Sequence, residues 1–246
     1  MWKSTIDEQE LTFRLVGLNN QNFIMKDEQT GSWWQQVTGE AILGPLAGKR
    51  LERMPFEQLS WELWRSENPE TQVLESREDF ADRYWNETED EEDRDEEFFA
   101  FPSEADPNDP LDRGALLAAV RFDSGPERAY PMALLREQAP INDRFEGRDL
   151  LLLLGSDDRS VRCFDRNLAG AGGEPLEFYE KSDAAEGEAT RWVDATTGSE
   201  WDFSGKALSG PLEGRQLTKI QVYADYWFDW KQFNPEGRLY SAGFSN

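Results

Sequence analysis

One long motif in this chain is written twice, so any local fold the first copy adopts must also be open to the second. The first copy reads Asp27-Glu28-Gln29-Thr30-Gly31-Ser32-Trp33-Trp34, then Gly39-Glu40-Ala41-Ile42-Leu43-Gly44-Pro45-Leu46-Ala47-Gly48. The second reads Asp194-Ala195-Thr196-Thr197-Gly198-Ser199-Glu200-Trp201, then Gly205-Lys206-Ala207-Leu208-Ser209-Gly210-Pro211-Leu212-Glu213-Gly214. The copies lie 167 positions apart at Thr30-Gly31 and 166 apart at Gly44-Pro45, so one residue is dropped after the tryptophan. At the same 166 spacing, Trp61-Glu62-Leu63-Trp64 with Asn68-Pro69 returns as Trp227-Phe228-Asp229-Trp230 with Asn234-Pro235. An ordered match of this length is an internal duplication.

Local chemistry gives each copy the same outline. Residues 11–16 and 23–26 read as strands joined by a turn at 17–20. A second turn follows at 27–32, where Asp27 can bond backbone N–H groups and Gly31 can take positive φ, and residues 33–37 return as a strand. Gly44 and Pro45 open a tight loop. A helix is expected over 56–67, ended by Asn68-Pro69, with a short strand at 73–74. Residues 76–110 are acid- and proline-rich. Beyond them come a strand at 115–122, a turn at 123–126, an extended 129–131 entering a helix at 132–136, and a hairpin of 149–154 with 160–164. Residues 176–179 then stand where 11–14 stood. The expected fold is α+β and β-rich, with two tandem pseudo-repeats of β-hairpins and short helices joined by an acidic linker. The divisions are a truncated first module at 1–75, a linker at 76–112 and a complete second module at 113–246. No alternation of strand and helix points to a parallel sheet.

Composition removes several classes of function. The net charge of −24 argues against nucleic acid, which needs clustered basic residues, and against anionic lipid. The run 87–97 holds nine acids and one arginine, and is expected to be solvated. With no histidine and a single cysteine, Cys163, there is no His-based catalysis, no disulfide within the chain and no cysteine zinc cage. No cofactor or metal is expected. No apolar run reaches the roughly 18 residues of a membrane span, and the start shows no signal sequence. As written the chain is expected inside the cell, and outside the cytoplasm if its true start lies further upstream.

Taken together these elements resemble the prokaryotic family catalogued as domain of unknown function 3179. The matching pieces are the Asp-x-x-Thr-Gly-Ser-x-Trp turn, the Gly-Pro-Leu-x-Gly loop and the Trp-x-x-Trp helix. In the second half they are Ala129-Tyr130-Pro131, Ile141-Asn142-Asp143 and Phe164-Asp165-Arg166. The resemblance implies two such modules in tandem, the first opening with Tyr-Pro, His-Glu, Asn-Asp and cysteine-bearing segments that this chain does not contain.

Other motif readings carry less. A β-propeller would repeat its Thr-Gly turn about every 40–50 residues, not after 167. A phosphate loop would need lysine where Pro45 follows Gly44. Asp106, Asp109 and Asp112 depart from the calcium-loop pattern. The paired tryptophans Trp34/Trp201, Trp61/Trp227 and Trp64/Trp230 are expected in the core, while Trp33 and Trp192 lack a Trp twin and are the candidate exposed, ligand-binding rings. Asp27 and Asp194 head turns and are expected to bond backbone. Two functions remain. One is a non-catalytic binding or interaction protein with a cleft between the repeats. The other is a carboxylate-dependent hydrolase of glycans using Glu40, Asp202 or Asp229. The first module's strands have no upstream hairpin to pair with, so their edge is expected to be covered by the second module or by another copy of the chain.

Overall fold

The computed structural model describes residues 1–19, 22–79, 107–169, 173–181 and 190–241. The acid run 87–97 and Asp106 lie outside the described residues. A small hairpin, β1 (Thr5–Ile6) and β2 (Gln9–Glu10), leads into a four-stranded meander of β3 (Phe13–Asn19), β4 (Asn22–Asp27), β5 (Trp33–Gln35) and β6 (Glu40–Leu43). Helix α1 (Trp61–Glu67) follows. The later half runs β7 (Leu116–Arg121), β8 (Arg128–Pro131), α2 (Met132–Gln138), β9 (Ile141–Phe145), β10 (Arg148–Leu154) and β11 (Val161–Asp165). A second meander, β12 (Phe178–Glu180), β13 (Trp192–Asp194), β14 (Glu200–Trp201) and β15 (Ala207–Ser209), precedes the long β16 (Thr218–Tyr226), α3 (Trp227–Phe233) and β17 (Arg238–Leu239). The protein is α+β and β-rich, as its sequence leads one to expect.

A seven-stranded sheet in the order β17-β8-β7-β16-β11-β10-β9 forms the centre of the later half. Its leucine run explains its position. Leu150 and Leu152 pack on one face with Ile141, Met132 and Leu135, while Leu151 and Leu153 pack on the other with Phe164 and the second meander. A strand buried on both faces needs no polar alternation, which is why these residues read as one apolar block. One pair, β17 with β8, is parallel. It is an edge addition made after α3 rather than a βαβ crossover.

The two meanders share their register. Phe13 faces Asp27 as Phe178 faces Asp194, Met25 faces Trp34 as Trp192 faces Trp201, and both bulge just before the second residue of the pair Trp33/Trp34 or Glu200/Trp201. The dropped residue is accounted for at the next turn. Gly39 N–H bonds back to Gln35 O, four residues earlier, whereas Gly205 N–H bonds to Asp202 O, three earlier.

What covers the two meanders differs. The second lies on Leu151, Leu153 and Phe164 of β10 and β11, and the Asn142 side chain of β9 clamps its edge, donating to Phe178 O at 2.8 Å and accepting from Phe178 N at 2.9 Å. Around the first meander only Trp2 matches this arrangement. Its ring fills the space a Cβ on Gly39 would need, as Phe164 does beside Gly205. Nothing described clamps Phe13, and Leu15, Leu18 and Phe23 are 58%, 62% and 46% exposed. The expectation that this edge is covered by the second half is therefore not met at β3.

The two halves are joined elsewhere. Residues 52–60, expected to be partly helical, are extended because the later half competes for their backbone. The Gln221 amide accepts from Phe56 N at 3.1 Å and donates to Phe56 O at 2.9 Å, and Ala224 N donates to Gln58 Oε1 at 2.7 Å. Helix α1 starts only at Trp61, capped by Ser60, whose own N–H donates to Ser160 Oγ. Leu59 and Leu63 then pack on the core beneath the second meander. The strand expected at 73–74 does not form, and Leu74 is almost fully exposed.

Candidate functional site

Where α1 crosses onto the later half, two adjoining hollows of about 530 and 580 Å³ share Glu57, Trp64, Arg162 and Lys219 in their walls. The floor is set by one residue. Arg162 sits in β11 between Val161 and Cys163, and its side chain is only 4% exposed. A buried guanidinium must be paired, and here the pairing comes from the other half of the chain. Arg162 donates to Glu57 Oε1 at 2.8 Å and to both oxygens of Glu67 at 2.7 Å, and its guanidinium lies 4.7 Å from the centre of the Phe203 ring. Lys219 donates to Glu57 Oε1 at 2.8 Å.

The electrostatics of this floor are closed. Burial alone would raise the Glu57 pKa, but hydrogen bonds from Arg162 and Lys219 outweigh it and hold the carboxyl below its ordinary range. Burial would likewise lower the Arg162 pKa, and the bonds to Glu67 and Glu57 reverse that too. Glu57 and Arg162 thus stay charged and paired, with Glu67 and Lys219 bonded to them. Such a floor can bond a polar ligand.

Of the six paired tryptophans, four are buried as expected and two are not. Trp34 and Trp201 are fully buried, and Trp227 and Trp230 are 8% and 2% exposed. Trp61 and Trp64, expected in the core with them, are 51% and 38% exposed. The cause is the docking of α1: it buries Leu59 and Leu63 and turns its tryptophans outward, whereas α3 buries Trp227 and Trp230 against Leu117, Ala119 and Ala129. Trp192, expected to be exposed, is 2% exposed and packs against Phe203, because β13 lies over the Leu151 and Phe164 core. Trp33 is 37% exposed, on β5 opposite Lys26 and Leu43, away from the cleft-lining residues.

The acids of the hydrolase reading are scattered. Glu40 pairs with Arg50 at 2.9 Å. Asp202 accepts from Ser204 Oγ at 2.6 Å and Lys206 N at 3.1 Å within its own turn, at the rim of the larger hollow. Asp229 accepts from Asn22 Nδ2 at 2.5 Å, across the two halves of the molecule. Its neighbour is a residue the sequence reading passed over, Asp225. Burial and the adjacent Asp229 push the Asp225 pKa up to about 7. Asp225 stands near the end of β16 and Asp229 in the first turn of α3, four positions on, a proximity in sequence that could have drawn attention to them.

Asp27 and Asp194 are fully buried and fully engaged. Asp27 accepts from Thr30 N and Thr30 Oγ1 at 2.5 and 2.9 Å and from Trp34 Nε1 at 2.8 Å. Asp194 accepts from Thr197 N, Thr197 Oγ1 and Trp201 Nε1 at 2.6, 2.9 and 2.9 Å. Ser32 Oγ then accepts from Leu46 N, and Ser199 Oγ from Leu212 N, both at 3.0 Å. This ties each turn to the loop of Gly44-Pro45 or Gly210-Pro211. A Cβ on Gly44 or Gly210 would lie 2.7 Å from the Cα of Ser32 or Ser199, so those glycines are required by contact as well as by their positive φ. Gly31 and Gly198 have φ of 73° and 71°, as the turn demands.

Arg162, Glu57, Glu67 and Lys219 were not singled out from sequence. The available signal was a charged residue inside an apolar strand, which in a folded chain calls for partners. No helix of the described residues is long and apolar enough to cross a membrane. A family model described as Protein of unknown function (DUF3179) matches residues 1–237. No curated protein and no solved structure matches the chain.

Proposed function

The chain belongs to the DUF3179 family, a match that spans nearly its whole length and carries no activity with it, and from the geometry we propose a non-catalytic binding protein. Its ligand lies in the cleft floored by Arg162. The observation that carries this reading is the exposure of Trp64 over a floor of two acids and two bases already neutralised by one another. An aromatic wall beside fixed, paired charges suits a neutral polar molecule with one apolar face, such as a sugar ring, and both acids of the floor are already bonded to bases. The reading takes residues 1–75 and 113–246 as two related units joined by 76–112. It also takes the bare β3 edge as a contact for a second copy of the chain.

The test is a titration of intrinsic fluorescence with a panel of neutral oligosaccharides. Saturable quenching that is lost in Trp64→Ala supports the cleft. A panel without effect, or an effect unchanged in Trp64→Ala, overturns it. A second reading, the carboxylate-dependent hydrolase, keeps one supporting observation: the raised pKa of Asp225 beside Asp229. It would then centre on those two acids instead of Glu40 or Asp202. Glycan cleavage abolished by Asp225→Asn would favour it.

A further inference from the structure

A third hollow, of about 500 Å³, lies between the first meander, the loop joining β7 to β8, and the end of α3. Arg50, Arg53 and Arg121 line it, in a chain that has 26 basic residues against 50 acidic ones. Two of the three are committed. Arg50 donates to Glu40 at 2.9 Å, and Arg121 donates to Glu127 and, at 2.6 Å, to Tyr223 OH. Arg53 is not. Its guanidinium lies 5.4 Å from the centre of the Trp2 ring, and among the described residues it has no carboxylate partner. Partial burial and the charge of Arg121 lower its pKa from the ordinary value, and the opposing pull of Glu127, itself bonded by Arg121 and Tyr223, does not cancel them.

The duplication shows what is missing. The position 166 residues after Arg53 is Lys219, which lines the tryptophan cleft and bonds Glu57 at 2.8 Å. The position 166 residues after Glu57 is Tyr223, which stands near Arg53 and spends its hydroxyl on Glu127 at 2.7 Å. One hollow supplies a carboxylate to its cation. Beside the other, a phenol stands at that position, and among the described residues no carboxylate bonds the Arg53 guanidinium.

We infer that the hollow at Arg53 binds the oxyanion group of a small molecule, a carboxylate or a phosphate, which takes the place that Glu57 occupies in the related hollow. Arg53 offers the two-pronged donor geometry that such groups accept, with Thr38 and Asn234 in the same wall. Asp123, Glu127 and Glu236 also line the hollow and repel further negative charge, so the ligand carries a single anionic group and is not a polyanion. This site is separate from the Trp64 cleft, and its assignment stands whether or not that cleft binds a sugar.

The experiment is thermal unfolding of the whole chain in sodium acetate and in sodium phosphate, each against sodium chloride at matched ionic strength and pH. The expected result is a midpoint raised by at least one of the two oxyanions, with saturation. Which of them acts identifies the group. Arg53→Gln is expected to weaken the apparent affinity at least about tenfold, as for loss of one charge-assisted paired contact, and Arg53→Lys to fall between. Far-UV circular dichroism of both variants checks that the fold is kept. Neither anion acting beyond chloride, or the same shift persisting in a folded Arg53→Gln, overturns the assignment.

Discussion

At the scale of single residues, what could be read in advance was what is local. Asp27 reaches Thr30 and Trp34, and Asp194 reaches Thr197 and Trp201, within seven positions, so turn chemistry and spacing announce those bonds. Arg162 was silent because its partners, Glu57 and Glu67, lie 105 and 95 positions away and belong to the other half. Asp225 shows the cost of such tertiary placement. Its folded pKa is raised to about 7, so between about pH 4 and 7 the folded state holds a proton that the unfolded chain releases. Its contribution to stability is therefore full at the acid end of that window and is lost as pH rises. Asp225→Asn should remove this slope. Urea unfolding at pH 5 and pH 8 should show the difference between wild type and variant changing by on the order of 1–2 kcal/mol, and an unchanged difference would mean that Asp225 titrates normally.

At the scale of elements, the two Trp-x-x-Trp helices show how far a repeated motif can be trusted. Both α1 and α3 end at an Asn whose backbone N–H donates to Trp64 O or Trp230 O in the last turn. Where the first helix ends was legible; where it starts was not. Nor was burial, since it depends on the surface each helix meets. Positions 59 and 63 are leucine and seek an apolar core, whereas their counterparts at 225 and 229 are aspartate and do not. Trp230→Ala should accordingly cost about 3–5 kcal/mol, as for a buried aromatic that also donates to Glu127. Trp64→Ala should cost less than about 1 kcal/mol. Chemical unfolding of both variants checks this, and equal losses would mean that α1 is packed like α3.

At the scale of the whole molecule, the β-rich α+β class and the two related meanders were legible, because hairpin chemistry and the repeat are properties of neighbouring residues. The seven-stranded sheet was not, since β16 and β17 join it from far along the chain. The bare edge of β3 makes one prediction at this scale. Residues 1–53 carry six basic and seven acidic residues in a chain of net charge −24, so two copies can approach there with little net repulsion. Light scattering at rising concentration should show association that Leu18→Lys suppresses, and a monomer throughout would end that proposal. The crossing of α1 onto the later half also has a consequence in time. A ribosome finishes α1 about 150 residues before Leu217, the last residue of the core on which Leu59 and Leu63 rest. At about 5–20 residues per second this is roughly 8–30 seconds. For that interval the nascent segment 59–64 carries two leucines and two tryptophans with nowhere of its own to lie, which makes it a natural handhold for a chaperone during synthesis.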